Sequence, residues 1–299
     1  MNNLIIFLTL VASFAHSYVI KLHGDDNLET VDDCLFKGCD CVTKNSSTGV
    51  SNEITCLNPF GSTSTQFPDR NVNSNFTKSI YSLTFNNYDF ATVPDDSFQD
   101  LAIQRISFES NNLTKLDVNS FRGIKFLSML AIEEKEFDEF ESGSLAPVYS
   151  YLASFYIEES NLDDAKFAKI YDELKKCQNI KLIRIAKNNL TRLVENQFDG
   201  LNKLQVLIIN DNQLKSIDTN AFAKNTDLYA LSLTNNELDD INMVFEAAKP
   251  LHSKLASIDL SGNMISDLNF KSQVIDLKLL DLLYLSNNQI KKFDKTSLN

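Results

Sequence analysis

Four thiols sit close enough in the chain to act together: Cys34, Cys39, Cys41 and Cys56, in the spacing C-x4-C-x-C-x14-C. A Cys-x-Cys pair can ligate zinc as thiolates, and the same four groups can oxidise to two disulfides. No His lies among them, and the start of the chain points to an oxidising compartment. An apolar run, Leu4 to Val11 broken only by Thr9, precedes Ala15 and Ser17 in the −3 and −1 arrangement that a signal peptidase accepts. The run is far below the roughly 20 apolar residues of a membrane span. A signal peptide over residues 1–17 is therefore expected, and with it disulfides rather than a metal. The bland alternative is an N-terminal strand or helix of the fold.

Other catalytic chemistry finds no support. Past residue 17 the only histidines are His23 and His252. No Gly-rich phosphate loop, HExxH or GxSxG motif occurs, and no loop has the regular ligand spacing of a calcium site. No enzyme, cofactor or metal centre is expected. Four Asn-x-Ser/Thr acceptors for N-linked glycan stand at Asn45, Asn75, Asn112 and Asn189. The formal net charge is −12 and the pI about 4.7. That balance argues against nucleic acid or anionic lipid as partner, because phosphate-binding surfaces need clustered Lys and Arg. No later stretch is long enough to cross a bilayer, and residues 291–299 do not resemble a lipid-anchor tail. A soluble, secreted product with no membrane insertion is the expectation.

The elements that would position these groups are periodic. The template L-x-x-L-x-L-x-x-N-x-L recurs, with its second apolar position at Leu83, Ile106, Leu130, Phe155, Ile183, Leu207, Leu231, Ile258 and Leu283. The intervals are 23, 24, 25, 28, 24, 24, 27 and 25 residues, so nine repeats are counted. In LQVLIINDNQL, Leu204, Leu207 and Ile209 point inward along a short strand while Val206 and Ile208 point outward. The template Asn falls where the chain leaves the sheet, and its amide can satisfy backbone groups of neighbouring turns. It is present at Asn111, Asn188, Asn212, Asn236, Asn263 and Asn288 but is Tyr88, Lys135 and Ser160 in repeats one, three and four. Those three turns are expected to be the least regular.

A Phe recurs five residues after a further apolar position, at Phe98, Phe121, Phe198 and Phe222, with Leu145 and Leu298 in its place in repeats three and nine. This column is read as core. The segment KFAKIYDELKKCQNI puts Phe167, Ile170, Leu174 and Cys177 on one helical face. Cys177 takes the slot of Leu201 in the next repeat, which reads as a buried free thiol; an intermolecular disulfide is the alternative.

With these motifs in hand, the chain resembles the extracellular leucine-rich-repeat family of animals, of the Toll-like and Slit-like ectodomain type. The resemblance covers residues 79–299 as repeats and 18–78 as a leader and N-terminal cysteine cap. It implies an α/β solenoid, a leucine-rich-repeat horseshoe with a parallel concave sheet. It also implies the pairing Cys34–Cys41 and Cys39–Cys56, in a cap that shields the first repeat's apolar end and strand edge. Family members usually close with a second cysteine-rich cap, which is missing here. Either the sequence is truncated, which reopens the question of a lost anchor, or Lys291, Lys292 and Lys295 protect the last edge by charge.

Function is then expected on the concave face. Its candidate partner-binding residues are Arg105 and Glu109 in repeat two, Met129, Glu133 and Glu134 in repeat three, and Tyr156, Glu158 and Glu159 in repeat four. Repeats five and six add Leu182, Arg184, Val206 and Ile208. Five glutamates on three adjacent strands, within about 10 Å, suit a basic protein or peptide, with Met129 and Tyr156 as apolar anchors. The bland reading is a solvated acidic face. A structural or adhesion subunit of an extracellular assembly and a truncated receptor ectodomain are the alternatives to a secreted recognition protein. The ligand and the oligomeric state are not readable.

Overall fold

The chain is described by a computed structural model covering residues 5–7, 27–30, 34–46, 49–58, 66–71, 74, 79–268 and 279–291. Four strands precede the array: β1 (Ile5–Phe7), β2 (Asn27–Thr30), β3 (Asp40–Ser46) and β4 (Gly49–Leu57). The repeats contribute β5 (Ser79–Asn86), β6 (Ala102–Glu109), β7 (Lys115–Leu116), β8 (Phe126–Glu133), β9 (Glu139–Phe140) and β10 (Ser154–Glu158). Then come β11 (Leu182–Ala186), β12 (Arg192–Leu193), β13 (Val206–Ile208), β14 (Ser216–Ile217), β15 (Ala230–Ser232), β16 (Ser257–Asp259) and β17 (Leu282–Tyr284). Two helices, α1 (Asp164–Leu174) and α2 (Ile241–Ala248), lie in the two longest repeats.

One thirteen-stranded sheet organises the molecule, in the order β1-β17-β16-β15-β13-β11-β10-β8-β6-β5-β4-β3-β2. From β4 to β17 every pairing is parallel. The pairing puts the second apolar position of each repeat beside that of the next, from Leu83↔Ile106 to Ile258↔Leu283. All nine of these side chains are buried. The register follows from the repeat: a slip by one residue would turn the apolar set out to solvent.

The core continues behind the sheet. Phe98 stacks on Phe121 with centroids 5.8 Å apart, Phe198 on Phe222 at 6.1 Å, and Leu145 is buried in its place. Leu298 lies outside the described residues. Two short parallel pairs, β7–β9 and β12–β14, line this side, and α1 replaces such a strand in repeat four. Asp163 caps α1 by accepting a hydrogen bond from the Lys166 amide, and Asp240 caps α2 through the Asn242 amide. Phe167, Ile170 and Leu174 of α1 face the core, and Cys177 just beyond it is fully buried, as is Leu201.

The cap holds the disulfides Cys34–Cys41 and Cys39–Cys56, the pairing implied by the resemblance. The cap strands pair antiparallel, β2 with β3 and β3 with β4, and β4 then runs parallel to β5, covering the first repeat's edge. Phe67 wedges beneath, with ring centroids 4.6 Å from Phe85 and 5.1 Å from Phe90. At the other end, β1 lies parallel on β17, although it falls inside the expected leader. An apolar extended segment satisfies the backbone groups that an end strand leaves open. Most of residues 1–17, and Lys292 and Lys295, lie outside the described residues.

A column of left-handed residues turns the chain out of the sheet. Asn87, Ser110, Glu159, Lys187, Asp211, Asn235, Gly262 and Asn287, each one residue before the ladder position, have φ between +48° and +72°. At Gly262 an added Cβ would lie 2.0 Å from Asn235 Oδ1. Gly262→Ala is expected to lower stability by about 2 kcal/mol through this clash and the left-handed backbone. Adding Asn235→Gly should recover part of the loss, measured by urea unfolding.

Candidate binding surface

The ladder residues seat the sheet's solvent-facing side chains. Asn188 Oδ1 accepts from the Ser160 and Leu162 amides at 3.0 and 3.1 Å, and its Nδ2 donates to the Ile157 and Ala186 carbonyls. Asn212, Asn236, Asn263 and Asn288 accept in the same way from Leu190, Leu214, Leu238 and Ile265. Each such bond replaces a buried, unpaired amide, a loss of about 1–3 kcal/mol if left unmade.

Repeats three and four keep an acceptor at this place despite lacking the Asn, and the repeat-one turn is served by the Asn of repeat two. The Tyr88 amide donates to Asn111 Oδ1, and Ser160 Oγ accepts from the Glu134 amide. In repeat three the ladder role falls to Glu134, one position early. Its carboxyl accepts from the Asn111 amide at 2.7 Å, from Asn111 Nδ2 at 2.7 Å and from the Leu113 amide at 3.4 Å. Glu134 therefore does not belong to the binding face: it is 0% exposed. The cause is Lys135 at the template position, whose ammonium is not readily buried, so it stays outside while the neighbouring Glu turns in. Position 134 is accordingly absent from the left-handed column.

The remaining candidates do share the solvent-facing side. Arg105, Met129 and Leu182 stand on strands paired at one register level, with Val206 beside Leu182. Tyr156, Arg184 and Ile208 form the next row. Met129, Tyr156, Leu182, Val206 and Ile208 are all half-buried, as are Arg105 and Glu109. Small neighbours sink further: Ser107, Ala131, Ala186, Asn210 and Asp259 are buried although they lie on this side. Burial raises the Asp259 carboxyl above its ordinary value against hydrogen bonds from Ser261.

The acidic patch is smaller than the sequence count. Arg184 Nε meets Glu158 Oε1 at 2.5 Å and Lys187 Nζ meets Glu159 Oε1 at 2.5 Å. The register could have shown this, since β11 follows β10 residue for residue. Glu109 is held by neutral donors, Ser107 Oγ at 2.8 Å and Asn86 Nδ2 at 3.0 Å. Glu133 is exposed and makes no side-chain hydrogen bond or ion pair among the described residues. Its carboxyl is pushed up by loss of solvent first, then by Glu159, Glu109 and Glu158, with Lys187 opposing. Four glutamates thus leave two, Glu109 and Glu133, without a cation.

Of the glycan acceptors, Asn112 and Asn189 are exposed at matching places in repeats two and five. Asn112 Nδ2 donates to Asp89 Oδ1, and Asn189 Oδ1 accepts from Gln213. Asn45 lies on β3, and Asn75 is outside the described residues. His252 is exposed at the end of a helical turn, and His23 is outside the described residues. No helix among the described residues is long and apolar enough to cross a membrane.

The family described as BspA type Leucine rich repeat region matches residues 72–172 and 153–274, in six copies. The two matches together run over more than half of the 299 residues, so the chain belongs to the leucine-rich-repeat family. Among similar proteins, Transforming growth factor beta activator LRRC33 of Danio rerio is 33% identical over 108 residues, 35% of this chain and 16% of its own length. Lumican of Gallus gallus is 32% identical over 114 residues, 38% of this chain and 31% of its length. Toll-like receptor 10 of Bos taurus is 30% identical over 110 residues, 37% of this chain and 13% of its length. The chain thus spans at most 31% of these relatives.

Solved structures share the fold. Human 5T4 superposes with a TM-score of 0.56 at 13% identity, covering 77% of this chain and 84% of that one. The Toll–Spatzle complex of Drosophila gives 0.52 at 16%, covering 71% and 30%. A complex of TLR13 with a single-stranded RNA gives 0.55 at 21%, covering 69% and 32%. A neighbour with an RNA ligand removes the support for excluding nucleic acid on net charge alone. The chain is a repeat protein related to extracellular leucine-rich-repeat proteins, and its two disulfides fit an oxidising compartment.

Burial also pushes the Cys177 thiol up to about 12, well above a reactive thiolate. Native protein is expected to resist a thiol reagent at pH 8, and urea-unfolded protein to react at one equivalent. Rapid labelling of the native chain would contradict this placement.

Proposed function

We propose that the chain is a secreted recognition protein that binds a protein or peptide partner on the open face of its sheet over repeats two to six. The observation that carries this reading is the pair of uncompensated carboxylates, Glu109 and Glu133, beside the half-buried apolar residues Met129, Tyr156, Leu182, Val206 and Ile208. Apolar groups rimmed by charge suit a protein interface, and the charge selects a partner segment carrying Lys or Arg. Arg184 and Arg105 set the limits of the acidic region. Protein ligands or receptors named among the relatives and neighbours support recognition over a structural role. Glycans on Asn112 and Asn189 would project from the rim and leave the sheet accessible.

A second reading, an ectodomain portion of a longer receptor, is favoured by the small share of the relatives that this chain spans. It places recognition on the same face.

Affinity capture from the source's secretions would supply a partner for measurement. Glu109→Lys with Glu133→Lys is expected to weaken its binding at least tenfold in calorimetry, and Met129→Ala with Leu182→Ala to weaken it independently of salt. Unchanged affinity in both variants would move the site elsewhere. A stable oligomer in light scattering, without a separable partner, would favour the structural reading.

A further inference from the structure

Two arginines stand on the solvent-facing side of the sheet over repeats two to five, and their surroundings differ. Arg184 on β11 has Glu158 diagonally beside it on β10. That carboxylate lies along the edge of the guanidinium, Oε1 accepting from Nε at 2.5 Å and Oε2 from Nη2 at 3.4 Å. Arg105 on β6 has Ser82 and Met129 at its own level, with Thr84 and Ala131 at the diagonal places. Neither neighbouring strand therefore offers the carboxylate that Glu158 supplies to Arg184. Among the described residues Arg105 makes no hydrogen bond or ion pair, and its Nε is shut off from solvent without a partner. A donor withdrawn from water and left unbonded is costly, and a carboxylate placed side-on satisfies Nε and an Nη together. The residue as a whole is only half-buried, so a docking group still reaches the guanidinium.

Glu109 lies four residues further along the same strand and on the same side, roughly 13 Å away at the rise of a strand. Its bonds come from Ser107 and Asn86 rather than from a cation, and Glu133 stands beside it on β8. The separation exceeds the screening length of about 8 Å in physiological salt, so Arg105 and the carboxylates do not neutralise one another. Between them Ser107 and Ala131 are small and buried, a low floor that leaves space above it.

We propose that Arg105 receives an acidic side chain of the partner, so that the segment bound along β6 carries an acidic and a basic group about 13 Å apart instead of basic groups alone. This rests on the reading of repeats two to six as the binding face and names the chemistry of its occupant. In an extended segment the separation is four residues, and one further side chain faces the low floor between the charges. A uniformly basic segment would set a cation against Arg105, and like charges across a contact lower affinity.

The test uses the full chain and three end-blocked pentapeptides, Glu-Ser-Leu-Ser-Lys, Gln-Ser-Leu-Ser-Lys and Glu-Ser-Leu-Ser-Gln, titrated at millimolar concentration. Binding is followed by NMR, including the Nε–H resonances of Arg105 and Arg184, each assigned by its loss in the Gln variant. The first peptide is expected to bind about fivefold more tightly than either of the others, the upper range for a partly exposed ion pair. It should shift the Arg105 resonance and leave that of Arg184, already bonded to Glu158, in place. Arg105→Gln should make the first two peptides equivalent, and Arg105→Lys, which keeps the charge but not the two-point geometry, should retain only part of the preference. Equal binding of the first two peptides to the wild type, or a preference that survives Arg105→Gln, would overturn the proposal. If Glu109→Gln with Glu133→Gln then still weakened both peptides, a basic partner on this face would stand without Arg105. Failure of all three peptides to shift any resonance of repeats two to six would overturn both readings.

Discussion

Everything in this fold rests on the satisfaction of backbone amides at the point where each repeat leaves the sheet. A parallel stack buries those turns, and water cannot reach them, so a side chain from the next repeat must supply the missing partner. The Asn amide does this by accepting from the preceding turn and donating to two or three carbonyls, as at Asn188 and Asn236. With the turns fixed, the register of the strands follows. The register in turn decides which side chains meet across the open face, and therefore where charge is neutralised. The ion pairs of Arg184 with Glu158 and Lys187 with Glu159 are products of that alignment.

The two ends of the stack are handled by different means. The first strand of the array is covered by β4 of the cap, locked by two disulfides and by Phe67 against Phe85, Phe90 and Phe98. A solenoid's terminal repeat has only one neighbour, so covalent closure there stabilises the unit least able to hold itself. At β17 the covering strand is the short apolar β1. Between the ends, the rear core alternates stacked Phe pairs with helix, and α1 and α2 occupy the longer repeats because extra length must return to the sheet without exposing its apolar face.

The period made most of this legible in the sequence. Every second apolar position from Leu83 to Leu283 is buried, and Cys177 takes the Leu201 slot, because a repeat constrains each residue through its equivalents. What the template could not show was a substitution that changes position and chemistry together. Lys135 at the Asn site reads as an irregular turn, and Glu134 beside it reads as surface. The Glu side chain is one methylene longer than Asp, long enough to reach the ladder from the neighbouring position, and only the tertiary arrangement reveals that. The acidic patch was over-counted for a related reason: residue types were tallied strand by strand, while neutralisation occurs between strands. The burial of Ser107 and Asp259 on a nominally open face likewise reflects larger neighbours, which a single strand does not record.

The bonds that the ladder side chains accept from the preceding turn join residues 22 to 28 positions apart, and among the described residues their donor bonds reach no further than 31. The distance along the chain that must be searched to make a native turn is thus set by the length of one repeat, not by the length of the protein. Relative contact order falls as such an array grows, so a longer relative need not fold more slowly in proportion to its size. Each added repeat can condense onto the last completed one, and the disulfide-locked cap, made first during synthesis, offers the earliest surface on which to begin.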